Sequence, residues 1–269
     1  GCDLAGAGDV ARFLATMLRS PDGGFYAVQD ADAVPGQHAG EYFALPDGER
    51  RARGLPRIET SCWSRENGQA ITGLCALLAV APDRELQATT LRAAEWIVAN
   101  RRRSDGTFAH GDHDLGGPFL ADSLEMANAF AALGEVTADP HWLDLAVQAL
   151  HAIDAAFAAN APAHGFATAV GDGVLPPVVD RTENVQLARI AVRVHAWSGD
   201  ARCRRIAERA LRSVTPDAVA LAPGLPADLL LAVEEAAAEP MHVVVVGARD
   251  DADTRELFVA ALRAAPAYR

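Results

Sequence analysis

Three short polar clusters punctuate an otherwise apolar chain: Ser64/Glu66/Asn67, Asp122/Ser123/Glu125 and Asp180/Glu183/Asn184. Each stands where a run of apolar residues begins, so each is expected at the N-terminus of a helix. Two carboxylates facing one another across a cleft can protonate a glycosidic oxygen and activate water, or move a proton at a sugar carbon. Asp122 and Glu183 are the pair such chemistry would use, with Asn67 and Asn184 as amide contacts to a polyol. A structural reading competes with this one. Asp122-x-x-Glu125 and Asp180-x-x-Glu183 both have the spacing of a capping box, in which the side chains satisfy orphan helix N–H groups. The partial positive charge of a helix N-terminus is expected to keep both acids ionised. Hydrolysis of a glycoside needs one raised carboxyl, so the sequence favours binding or base-type chemistry.

Further candidates lie in the loops. Asp30 and Asp32 could ligate a hard cation or accept sugar hydroxyls, but the pair lacks the remaining ligands of a calcium loop, so loop hydrogen bonding is the simpler reading. Trp63, Phe119 and Tyr26 could stack on a sugar ring or serve as packing anchors. His110-Gly111-Asp112-His113-Asp114 is the densest His/carboxylate cluster, yet the sequence places no third ligand beside it and a solvated loop is expected. His195 stands on an apolar stretch and reads as a satisfied core histidine. The four cysteines, Cys2, Cys62, Cys75 and Cys203, form no CxxC pair and have no histidine at zinc-finger spacing. They are expected to be reduced and mostly buried, and neither a metal nor a cofactor is expected.

The elements that must position these residues repeat along the chain. Residues 66–81, 120–136 and 183–197 are apolar nearly all round, whereas 85–101, 141–157 and 201–214 are apolar on one stripe. Short turns carrying Asp83, Asp139 and Asp200 join each pair, 56 and then 61 residues apart. An all-round apolar helix must be covered on both sides and an amphipathic one on a single side. The pattern therefore predicts an inner and an outer ring of helical hairpins, an all-α (α/α) toroid. The connections back to the inner helices share a glycine followed by an aromatic, in Gly23-Gly24-Phe25, Gly106-Thr107-Phe108 and Gly165-Phe166. Those loops should gather at one end of the ring and deliver the polar clusters there. One more helix is expected at 226–238. Met241–Gly247 reads as a short buried strand, followed by an amphipathic helix at 252–264. This divides the chain into hairpins over 1–240 and a strand-helix appendage over 241–269.

Composition excludes several classes. A formal charge of −12 would repel a phosphate backbone or an anionic membrane face, so nucleic acid is not an expected partner. No run of about 18 apolar residues occurs, so no membrane span is expected, and Gly1-Cys2 has no apolar signal region before it. A cytoplasmic location is expected.

Gly23-Gly24-Phe25-Tyr26 with Asp30-Ala31-Asp32, followed by Gly40-Glu41-Tyr42-Phe43, resembles the GGFYSAEDADS and GKFYVW segments of the thioredoxin-domain-containing, spermatogenesis-associated protein family. Asn67-Gly68, Phe119–Asp122, Ser198-Gly199-Asp200 and Val243–Gly247 follow in the family's order. The resemblance implies an (α/α)6 toroid similar to six-hairpin glycosidases and N-acylglucosamine 2-epimerases, joined in that family to a thioredoxin-like domain. The chain has no counterpart of the paired thioredoxin cysteines or of the family's PHFEKMLYDQA motif. It reads as a C-terminal part or a shortened relative, with about eight helices against the twelve of six full hairpins.

Two functions follow as expectations. The first is a carbohydrate-binding or carbohydrate-active domain, glycosidase- or epimerase-like, with Asp122 and Glu183 in its cleft and a sugar as ligand. The second is a non-catalytic scaffold that meets another copy or a partner domain through apolar surface that further hairpins would cover.

Overall fold

The computed structural model describes residues 4–33, 36, 39–113, 116–158, 165–171, 176–215, 227–238 and 242–264. Cys2, Asp114, His164 and Met241 fall outside them. Helix dominates, as the sequence predicts. The chain opens with α1 (Leu4–Phe13), continued by a π-helical turn over Leu14–Leu18. Two short helices follow, α2 (Gly40–Phe43) and α3 (Asp47–Arg53). Three hairpins then pair α4 (Ser64–Val80) with α5 (Arg84–Arg101), α6 (Leu120–Thr137) with α7 (Pro140–Ala156), and α8 (Arg181–Ser198) with α9 (Ala201–Val214). Helices α10 (Ala227–Ala237) and α11 (Ala252–Ala264) end the described chain.

Burial separates inner from outer helix clearly only in the middle hairpin; α4, expected to be covered all round, leaves Gln69, Gly73, Ala76 and Val80 exposed and buries one stripe through Asn67, Ile71, Leu74 and Leu78. Helix α6 is sealed on all sides, from Leu120 through Leu124, Ala127 and Phe130 to Leu133. Its partner α7 buries only the stripe of Trp142, Ala146, Leu150 and Ile153, continued by Phe157 just beyond the helix. Inner helix packs on inner helix, with α6 lying between α4 and α8, and α10 against α8. Gly68 makes the closest of these approaches. A Cβ there would sit 2.7 Å from the carbonyl carbon of Glu125, so α4 and α6 meet backbone to backbone.

The turn aspartates cap the outer helices. Asp83 Oδ1 accepts the Leu86 amide at 2.8 Å, Asp139 Oδ1 that of His141 at 3.0 Å, and Asp200 Oδ1 those of Arg202 and Cys203 at 2.7 and 3.1 Å. This is the N-cap geometry that favours aspartate between helices. At the other end each connecting loop folds back on the helix it leaves: Tyr26 N–H donates to Leu18 O, Ala109 N–H to Arg101 O and Ala167 N–H to Phe157 O. Phe25, Phe108 and Phe166 are thereby driven into the core, where each is fully or almost fully buried.

The C-terminal strand expected at 241–247 is not formed. Among the described residues 242–247 make no ladder, and Val244 and Val246 are 78% and 87% exposed. A strand is stable only when a second strand satisfies its backbone, and no described segment pairs there. The one two-stranded sheet among the described residues lies elsewhere and is antiparallel, pairing β1 (Val28–Gln29) with β2 (Ile58–Glu59). Helix α11 forms where the sequence places it and rests on α4. Cys62, Cys75 and Cys203 are buried free thiols. No described helix is long and apolar enough to cross a membrane.

Candidate functional site

The three inner helices begin with the same device. Their fourth residues, Asn67, Ser123 and Asn184, point back at the loop aromatic. Asn67 Oδ1 accepts the Phe25 amide at 2.7 Å while its Nδ2 donates to the Phe25 and Trp63 carbonyls. Asn184 repeats this with Phe166 and the Asp180 carbonyl. Ser123 Oγ takes the Phe108 amide at 3.0 Å. Both asparagine side chains are fully buried and fully engaged with backbone. Their placement makes them clamps for the loops that shape the site, in place of the substrate contacts the sequence suggested.

One residue earlier, the third position of each inner helix carries an acid: Glu66, Asp122 and Glu183. Asp122 is 1% exposed. It does not form the capping box its spacing suggests, because α6 starts at Leu120 and Asp122 lies inside the first turn. Its Oδ1 instead accepts the Arg65 amide of α4 at 3.0 Å and faces His110 Nδ1 at 3.0 Å. Asp180 does cap α8, taking the Glu183 amide at 2.9 Å. Glu183 gives nothing back. Its Oε2 is buried without a hydrogen-bond partner, as is Oε2 of Glu66.

Burial overrides the helix dipole here. Removal from water pushes the Asp122 carboxyl up to about 6, against the lowering effect of His110 and the Arg65 amide and with help from the charge of Glu66. Glu183 is pushed to about 7, first by burial and then by the negative charges of Asp180, Asp122 and Glu125, with Arg65 opposing. The expectation that helix N-termini would hold both carboxyls low is therefore overturned: Glu183, at about 7, is partly protonated at neutral pH, whereas Asp122, at about 6, is raised but still mostly ionised there. A dipole contribution is worth about 0.3–1 kcal/mol at a surface, less than the cost of taking a carboxylate out of water.

His110 is the residue that sequence reasoning left in a solvated loop. Its carbonyl accepts the Ser64 amide at 3.0 Å, and Ser64 Oγ donates to the neighbouring Ala109 carbonyl at 2.6 Å. Two residues on, Asp112 is held at 2.8 Å by the buried guanidinium of Arg101. The imidazole stacks on Trp63, with centroids 5.0 Å apart and planes 25° apart, and Phe119 meets its edge at 6.3 Å. Trp63 and Phe119 thus come to Asp122 through His110. Both stand immediately before an inner helix, which gave the only hint in the sequence that the histidine loop would close over them.

Asp30 and Asp32 stay local. Asp30 Oδ1 accepts the Asp32 amide at 3.0 Å, an aspartate turn, and the Asp30 amide donates to the Arg57 carbonyl at 2.7 Å. Among the described residues no hydrogen bond or ion pair links either to Asp122 or Glu183. His195 is satisfied, as expected, with Nδ1 2.9 Å from the Asp200 carbonyl.

Helical hairpins in two rings, with acids at the inner N-termini, define an α/α toroid fold. Solved structures share it. Cellobiose 2-epimerase from Bacillus thermoamylovorans matches with a TM-score of 0.56 at 9% identity, over 78% of this chain and 53% of its own. A sugar epimerase from a ruminal bacterium matches at 0.54 and 13%, over 77% and 54%. An alpha-mannanase from Bacteroides thetaiotaomicron matches at 0.50 and 15%, over 61% and 47%. The chain spans about half the length of these structures, and at such identities the likeness is one of fold. No protein-family model matches the chain, and no curated protein does.

Proposed function

We propose that the chain is a carbohydrate-active toroid whose reaction centre is formed by Asp122, His110 and Glu183. The observation that carries this reading is the arrangement at Asp122, a buried carboxylate holding the Nδ1 side of an imidazole that is itself stacked on Trp63 and met edge-on by Phe119. With Nδ1–H donating to Asp122, the acceptor lone pair lies on Nε2, the arrangement of a general base with its orienting carboxylate. Glu183, raised to about 7, is partly protonated at neutral pH and suits the complementary acid. The raised carboxyl that hydrolysis requires is thereby available, so acid-base chemistry on a sugar, with an acid as well as a base, extends the binding or base-type chemistry favoured by sequence. Trp63 and Phe119 would cover the apolar C–H face of a ring.

The sugar epimerases and the mannanase that share the fold supply the substrate class to test first. The purified chain is incubated with mono- and disaccharides, binding is followed by calorimetry and conversion by sugar analysis. Binding in the millimolar range or tighter, weakened at least tenfold by His110→Ala and with conversion lost in Glu183→Gln, supports the reading. If no sugar binds at millimolar concentration and none is converted, the reading fails.

A scaffold role is the second reading, and a specific observation favours it. Leu230 and Val233 of α10 and Val243, Val244 and Val246 leave large apolar side chains exposed, surface that a partner domain or a second copy would cover. We also propose that 241–269 belongs to the same folding unit as 1–240, since α11 packs on α4. Kinship with the thioredoxin-domain-containing, spermatogenesis-associated family remains a proposal resting on the sequence segments above.

A further inference from the structure

Far from the acids at the inner N-termini, the turn between α8 and α9 collects three donors of different type. Asp200 caps α9 with Oδ1 alone, which takes the Arg202 and Cys203 amides. Its Oδ2 turns toward α7, where His151 Nε2 lies 3.2 Å away. The Cys203 sulfur, one helical turn along α9, completes the group: the three ligand atoms all lie within 4.8 Å of one another. One further observation sets this cluster apart from an ordinary helix cap. His151 Nε2 is shielded from solvent, yet at 3.2 Å from a carboxylate oxygen it makes no hydrogen bond of proper geometry.

We propose that His151, Asp200 and Cys203 form a binding site for a divalent ion of borderline softness, Zn2+ by preference, with water as fourth ligand. An imidazole nitrogen, a carboxylate oxygen and a thiolate sulfur are the donors zinc selects, whereas magnesium and calcium want oxygen alone. Zinc bonds of about 2.0–2.3 Å put tetrahedral donors roughly 3.3–3.8 Å apart, so the cluster closes on the ion by shifts on the order of 1 Å. The surroundings are already fixed. The Asp200 carbonyl is held by His195 Nδ1, and Arg202 joins α9 to α7 through Asp154 at 2.7 Å and the His151 carbonyl at 3.2 Å. Binding replaces the Cys203 S–H bond by a sulfur–metal bond and releases the proton to solvent. The ion would clip two outer helices together. Glu183 stands at the third residue of α8 and this site just beyond its last, Ser198, about 23 Å away at ~1.5 Å per residue, so the two sites do not share ligands.

Cobalt serves as the probe because, unlike zinc, it absorbs. Metal-free protein titrated with Co2+ should develop the near-ultraviolet thiolate-to-cobalt band and the visible bands of a tetrahedral ion, saturating at one equivalent and bleached by Zn2+. Zn2+ should also raise the melting temperature. His151→Gln, at a half-buried position, should weaken Co2+ binding at least tenfold, and Cys203→Ser should abolish the thiolate band. Absence of the band in the unmodified protein overturns the proposal. So does its persistence in Cys203→Ser, or unchanged affinity in His151→Gln. If Cys203→Ser does not fold, the unmodified chain and His151→Gln decide the matter.

Discussion

Asp122 Oδ1 lies 3.0 Å from the amide nitrogen of Arg65, so the acid of α6 takes an N–H of the first turn of its inner neighbour α4. The bond ties a candidate catalytic group to the frame of the ring, and the two roles are separable by substitution. Asp122→Asn keeps an oxygen acceptor for the Arg65 N–H, whereas Asp122→Ala leaves it orphaned. The alanine variant should be less stable than the asparagine variant by about 1–3 kcal/mol in urea denaturation. Equal stabilities would show that the Arg65 amide does not depend on this carboxyl.

The raised carboxyls make stability fall with rising pH. Asp122 and Glu183 bind protons more tightly in the folded chain than in the unfolded one, at about 6 and about 7 against ordinary values near 4. Their favourable contribution is complete below pH 4 and is lost as pH rises through 6 and 7, with a slope of at most about 1.4 kcal/mol per pH unit per group. Denaturation midpoints measured from pH 4 to 8 should show this decline, and Glu183→Gln should flatten its upper part. A Glu183→Gln profile superimposable on that of the unmodified chain would contradict the buried, crowded site.

Asn67 and Asn184 should behave as a matched pair. Each fixes the backbone on both sides of a loop phenylalanine, so replacement by alanine strands several buried polar groups at once. Asn67→Ala and Asn184→Ala are each expected to cost about 3 kcal/mol. Values below about 1 kcal/mol, from chemical denaturation, would mean that the loops hold without their clamps.

Two glycines of α4 should respond in opposite directions. Gly68→Ala thrusts a methyl group into the Glu125 backbone and should destabilise by about 1–3 kcal/mol as α4 and α6 are forced apart. Gly73 has nothing within 4 Å of its would-be Cβ, and Gly73→Ala should stabilise by about 0.5–1 kcal/mol through helix propensity alone. Thermal or urea melts of the two variants check both signs.

The helical period of the apolar residues settled the hairpins before any coordinates, because it follows from helix geometry and is written residue by residue; the all-round burial expected of every inner helix holds for α6 but not for α4 or α8. Helices α4 to α9 begin and end within about three residues of the sequence-derived limits, and Asp83, Asp139 and Asp200 stand where turns need caps. The glycine-aromatic loops were legible for the same reason. The strand at 241–247 was not, because a strand is stable only with a partner and pairing is a long-range property.

The site depended on long-range contacts still more. Asp122 and His110 are close in sequence, yet only the packing of α4 on α6 put Arg65 against one and Trp63 against the other. Local spacing made Asp122 part of a capping box and the helix dipole made it ionised. The tertiary structure removed the box and raised the carboxyl to about 6, since a pKa is set by the water and charge that all neighbouring elements leave around a group. His151, Asp200 and Cys203 show the same division. The sequence placed Asp200 and Cys203 one turn apart, and the packing of α7 against α9 brought in the imidazole.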